Sequence, residues 1–256
     1  MNLCIFFEGT GQGVEGQITN VTRMQRLCVE AEGSQLTHLE SGPGTRAIAQ
    51  VGGYIMGSDW RVIFRSARRW FEANYKRLPA KSSVTKVYLF GFSRGALLAR
   101  HFASWLDKLN IGVSYLGLWD TVDSTLGLDV PKDVPQNVYA CRHAVARDEA
   151  RRFFDYVPIK SDIDIVEEML FPGSHSDIGG LYDDDHQIAD LTLNWIAEGA
   201  QKAGVLLKND IGEVDLDFSK VILHDSSLEA NNLWGALDLI KRKVSGLSLH
   251  KRCFGL

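Results

Sequence analysis

The sequence predicts an α/β fold, a mostly parallel sheet with helices on both faces, and three observations predict it. Short apolar runs alternate with helical patterns along the chain. Several runs, such as "NLCIFF" (2–7) and "VTKVYLF" (84–90), are apolar at consecutive positions, as strands covered on both faces are. Finally, "GFSRG" (91–95) stands where one such run gives way to a helix.

The elements follow in order. "NLCIFF" is a buried strand. Residues 20–31 read as a helix, with Val21, Met24, Leu27, Cys28 and Ala31 on one face. "LTHLE" (36–40) is a short strand. The glycine-rich passage 41–58 reads as a lid or as irregular surface. Residues 60–78 form a helix with Ile63, Ala67, Trp70 and Phe71 inward. The strand 84–90 leads into a helix (94–109) carrying Leu98, Phe102, Trp105 and Leu109. "VSYLGLW" (113–119) is a strand, "RDEARRFFD" (147–155) a helix and "DIVEEMLF" (164–171) a strand. Residues 190–204 are helical, with Gly204 as the stop signal. "KVILH" (220–224) reads as a last strand before a helix over 228–243. No linker or repeat divides the chain, so 1–256 reads as a single domain.

Composition narrows the function. A net charge of −4 gives no bulk positive field, so nucleic acid is not an expected partner. Cys4, Cys28, Cys141 and Cys253 lie far apart, without a C-x-x-C pair, and read as reduced thiols. No apolar run approaches the ~18 residues of a membrane span. Met1 leads almost directly into a strand, so no signal peptide is expected. The expected location is cytoplasmic, with export by a route lacking a cleaved signal left open.

Gly91-Phe92-Ser93-Arg94-Gly95 fits G-x-S-x-G, the nucleophile elbow of α/β-hydrolase-like folds. The serine occupies a sharp turn so that its hydroxyl projects above the sheet, and glycines two before and two after let strand and helix approach. A serine nucleophile needs a base, and the base an orienting acid. In chain order after Ser93, Asp120 stands at the end of the next strand, and His175 in the small-residue loop "FPGSHSDIGG". Asp123 and Asp177 are rival acids, and His224 is a rival base. His143 reads as a packing or hydrogen-bonding residue. The loop after the first strand, "FFEGTGQG", offers Gly9 and Thr10 as backbone donors to an oxyanion, and Arg94 offers another. Its glycine spacing does not match the dinucleotide pattern G-x-G-x-x-G.

At these residues the sequence resembles the catalytic domain of type VI secretion phospholipase effectors, an α/β-hydrolase group. The matches run in order over about the first four-fifths of the chain: "FFEGTG", "TNV", "SGPGTR", "LFGFSRGALLAR", "LGLWDTVDSTLG", "RHAVARDEARRFF", "FPGSHSDIGGLY" and "IADLTLNWI". The resemblance implies a Ser-Asp-His hydrolase on Ser93, Asp120 and His175, acting on phospholipid esters. This chain has Glu8-Gly9-Thr10 where the family usually has Asp-Gly-Thr, a carboxylate moved by about 1.5 Å. It has Pro43 where the family has valine, which removes an N–H donor. Read to Leu256, the sequence is expected to hold little room for the membrane-binding region such effectors carry.

Two further features bear on partners. Arg61, Arg65, Arg68, Arg69 and Lys76 make one helix basic, as a solvated face or as a site of peripheral contact with anionic lipid. "LYDDDH" (181–186) reads as a solvated turn ahead of Asp190 rather than as a divalent-ion site. The expectation is therefore a serine esterase of the phospholipase type, needing no cofactor or metal. Its partners would be a lipid or small-ester substrate and an immunity or activating protein. An esterase of small soluble acyl substrates and a non-catalytic binding scaffold are the alternatives.

Overall fold

The computed structural model describes residues 1–12, 18–43, 59–75, 85–123, 134–151, 154–159, 165–208, 219–226 and 248–249. Its strands are β1 (Asn2–Phe7), β2 (Gln35–Glu40), β3 (Lys86–Phe92), β4 (Tyr115–Trp119), β5 (Cys141–Ala146), β6 (Val166–Phe171) and β7 (Ser248–Leu249). Its helices are α1 (Asn20–Leu27), α2 (Trp60–Tyr75), α3 (Arg94–Asp107), α4 (His175–Gly179) and α5 (Gln187–Ala203). The strands form one sheet in the order β2-β1-β3-β4-β5-β6-β7. Every pairing is parallel.

Alternate side chains of the buried strands feed two cores. Cys4 and Phe6 of β1 and Tyr88, Phe90 and Phe92 of β3 face α1 and α5, meeting Val21, Met24, Leu193 and Ile196. Leu3, Ile5 and Phe7 of β1 and Val87 and Leu89 of β3 face the other way. There they meet Ile63 and Phe71 of α2 and Leu98 and Phe102 of α3. Burial of each such aromatic or aliphatic side chain stabilises the fold by about 1.5–3 kcal/mol. Because α1 follows β1 over one face and α3 follows β3 over the other, the chain reverses winding between these adjacent strands. That opens a crevice at their carboxyl ends, where sites form in doubly wound sheets.

Three elements depart from the sequence reading. The strand β5 lies where the sequence reading assigns no element. Its Arg142 and His143 are buried but partnered, Arg142 by the Trp195 carbonyl and Glu198, and His143 by Glu168. "RDEARRFFD" forms no α-helix in its described part, where Phe154 belongs to a 3-10 turn closed by its N–H to the Arg151 carbonyl. Asp148 accepts the backbone N–H of Gly173 and Glu149 that of His175, contacts that hold the segment extended across the sheet end. "KVILH" forms no strand either. Residues 219–226 run as a strap, with Ile222 and Leu223 exposed. The helix expected over 228–243, the proposed lid from 44 onward and Cys253 lie outside the described residues. Cys4, Cys28 and Cys141 are buried free thiols.

Candidate active site

The strand β3 delivers Ser93 to the crevice. Its backbone is forced to φ 59° and ψ −128°, a conformation L-residues rarely adopt and one that stores strain at functional turns. The glycines on either side permit it. A Cβ on Gly91 would lie 2.5 Å from the carbonyl oxygen of Gly95, and one on Gly95 would lie 2.2 Å from that of Phe7. The elbow is fastened sideways as well, the N–H of Ser93 donating to the Trp119 carbonyl at 3.0 Å. Ser93 is 4% exposed at the N-terminus of α3.

Asp120 stands one position beyond the end of β4, is fully buried and has φ 37°. One carboxylate oxygen accepts the N–H of Ala146 at 2.9 Å, fixing the side chain against β5. The other lies 2.6 Å from Nδ1 of His175, which donates to it. The next residue is steadied by His143, whose Nε2 accepts the N–H of Thr121 at 3.0 Å while Nδ1 meets Glu168 at 2.7 Å. His143 therefore supports the Asp120 turn from below.

The residue His175 opens the short helix α4, whose Ser174 and Asp177 form a capping box. Its imidazole stacks on the ring of Phe92, centroids 4.5 Å apart, and meets the edge of Phe154 at 5.0 Å. Phe92 immediately precedes Ser93, so the imidazole rests against the elbow itself. Gly179 makes this possible, because a Cβ there would lie 2.2 Å from the Phe92 ring. The start of α1 anchors the far end of α4, with the Asn20 amide donating to the carbonyls of Ile178 and Ala189.

The loop after β1 lies on the other side of the serine. A Cβ on Gly9 would be 3.3 Å from the Cβ of Ser93. Thr10 Oγ1 accepts a hydrogen bond from Nε of Arg94, joining the two candidate oxyanion segments. Residues 41–43 brace this loop: Gly11 donates to the Pro43 carbonyl and Gly42 to that of Gln12. The carboxylate of Glu8 turns away from the crevice. It accepts the hydroxyls of Thr19, at 2.8 and 2.7 Å, and of Thr22, tying β1 to the cap of α1. Burial raises its pKa, against the lowering effect of these hydroxyls.

The rival pair sits elsewhere. His224, on the strap, bonds through Nδ1 to Asp177 at 2.6 Å and through Nε2 to Asp184 at 3.1 Å, and stacks on Tyr182. Burial lowers its pKa, but the two carboxylates outweigh that and raise it. Asp185 of the same acidic run accepts the N–H groups of Gln187 and Ile222. Among the described residues, no group of His, Cys, Asp and Glu stands together as a metal site. Asp123 is half-buried just beyond the Val122–Tyr156 bridge. Sequence reasoning missed Glu149 as a site residue. It lies in the run "RHAVARDEARRFF" and within the segment 147–155 read as a helix, a pattern that does not single it out.

An imidazole backed by a buried carboxylate thus lies against the residue that precedes Ser93, and the Gly9 loop lies against Ser93 itself. Comparisons with known proteins agree with the fold. A protein structure from Pseudomonas aeruginosa, described as uncharacterized, aligns with TM-score 0.57 and 18% identity, over 81% of this chain and 46% of that one. A Tle1 effector bound to the VgrG spike of the type 6 secretion system aligns with TM-score 0.52 and 21% identity, over 71% and 51%. The thioesterase domain NocB aligns at TM-score 0.46 and 13% identity, over 79% and 92%. The chain thus spans about half the length of the first two structures. No curated protein matches it. The family model for the catalytic domain of Tle1-like type VI secretion phospholipase effectors matches residues 1–111 and 105–199. The chain belongs to the Tle1-like phospholipase effector catalytic-domain family.

Proposed function

We propose that the protein is a serine hydrolase that cleaves acyl esters of glycerophospholipids. The observation that carries this reading is the 2.6 Å bond from His175 Nδ1 to buried Asp120, with the imidazole stacked on the residue that precedes Ser93. In the proposed reaction Ser93 Oγ attacks the ester carbonyl carbon while Nε2 of His175 takes its proton. The imidazolium returns that proton to the leaving alcohol as the carbonyl–oxygen bond breaks. Asp120 holds the tautomer and stabilises the charged ring. Backbone N–H groups of Gly9 or Thr10 and of Arg94 stabilise the tetrahedral oxyanion, each removal costing about 3–4 kcal/mol. Water, deprotonated by His175, then releases the fatty acid.

Family membership supports the phospholipid substrate, and the VgrG-bound Tle1 structure supports a secretion-spike protein as carrier. Delivery by that route replaces cytoplasmic residence as the proposed destination. No helix among the described residues is long and apolar enough to cross a membrane. The test compares hydrolysis of micellar phospholipid with that of a short water-soluble ester, for the native chain and Ser93→Ala. Phospholipid turnover that vanishes in the variant supports the proposal. Turnover of the soluble ester alone moves the substrate class to small acyl esters, and activity surviving in the variant removes Ser93 from the mechanism.

A further inference from the structure

The carboxylate of Glu149 is fully buried directly behind the loop that carries His175. Its Oε2 accepts the backbone N–H of His175 at 3.1 Å and Nη2 of Arg151 at 2.9 Å. Its Oε1 accepts the N–H and Nε of Arg151, at 2.7 and 2.9 Å, and the hydroxyl of Ser226 at 2.8 Å. That hydroxyl in turn accepts the N–H of Ala150 at 3.1 Å. Every lone-pair direction of the carboxylate is thereby engaged. The same arginine lies over the ring of Phe154, 3.7 Å from its centroid, and Phe154 is the ring whose edge meets the imidazole.

We propose that Glu149 is a positioning residue for His175, a second carboxylate that fixes the backbone of the base and biases its ring toward the charged form. The inference rests on the hydrolase reading only in giving His175 a catalytic task. Burial opposes the ionised form of Glu149, yet the bonds and charge of Arg151 bring its pKa down to about 2, with a further contribution from His175. The carboxylate is therefore ionised at neutral pH. Asp120 aligns the ring through Nδ1, whereas Glu149 acts on the main chain and through space. The other charged groups around α4 are Arg151 on its Glu149 side, Asp148, which accepts the Gly173 N–H and pairs with Arg147, and Asp177 in its own first turn, held by His224.

The experiment is a titration of the His175 ring by NMR, in the native chain, in Glu149→Gln and in Arg151→Gln. Removing the carboxylate should lower the pKa of His175 by about half a unit or more, and removing the partner cation should raise it by a similar amount. Opposite shifts are a signature that a merely structural role does not produce. Arg151 is more exposed than Glu149, so its variant reads the effect even where Glu149→Gln fails to fold. Titrations that coincide with the native curve in every folded variant overturn the proposal. The rate of fluorophosphonate labelling against pH is measured alongside. Native protein that titrates as described but takes no label leaves the positioning intact and overturns the hydrolase reading instead.

Discussion

Asp120 Oδ2 stands 2.6 Å from His175 Nδ1, although the two residues are 55 positions apart in the chain and arise from strands separated by β5. The other oxygen of Asp120 is occupied by the Ala146 N–H, so the carboxylate cannot swing away. Asp120→Asn should keep the fold but present an amide that leaves the wrong ring tautomer facing the serine. Turnover should fall by about 10⁴ with little change in the urea midpoint. Turnover within about tenfold of native would remove Asp120 from the orienting role.

The strain at Ser93 yields a second prediction. Glycine adopts φ 59° and ψ −128° without penalty, so Ser93→Gly should be more stable than the native chain by about 1–3 kcal/mol while losing all esterase activity. Urea denaturation measures this. A variant no more stable than native would mean that the elbow holds no stored strain.

The helix α3 approaches β1 so closely that Gly95 has no room for a methyl group, the nearest atoms being the carbonyl oxygens of Phe7 and Glu8. Neither can move without dislodging the end of a central strand. Gly95→Ala should cost about 3 kcal/mol and displace both Ser93 and the Gly9 loop. Thermal melting and esterase assay should show the two losses together, and full activity in the variant would contradict this account of the elbow.

The strap 219–226 should loosen with rising pH. The carboxylates of Asp177 and Asp184 raise the folded pKa of His224, so its contribution is complete below the ordinary histidine value of about 6.5. The contribution is lost as pH climbs through the raised folded value. Native chain and His224→Asn should therefore differ in melting temperature in mild acid and converge in mild alkali. A gap that stays constant, or widens with pH, would reverse the assigned sign.

Much of the fold is legible in residue patterns, because β1, β3, β4, α3 and α5 are defined by local apolar periodicity and local stop signals such as Gly204. The Asp120–His175 pairing is legible from strand order after "GFSRG". What local pattern hides depends on distant partners. β5 is masked by Arg142 and His143, polar residues whose burial is balanced by Glu198 and Glu168. Glu149 looks like one more charge in a helical run until the N–H of His175, 26 positions away, is brought against it. "KVILH" has strand propensity, but Asp185 takes the N–H of Ile222 and Asp177 takes the ring of His224, so the segment never enters the sheet.

The most direct measurement is fluorophosphonate labelling of the native chain, located by mass spectrometry of the peptide containing residue 93. The account predicts a single adduct on Ser93, formed rapidly and abolished by His175→Ala. An unlabelled serine in the folded protein, or one labelled equally fast without the imidazole, would contradict it.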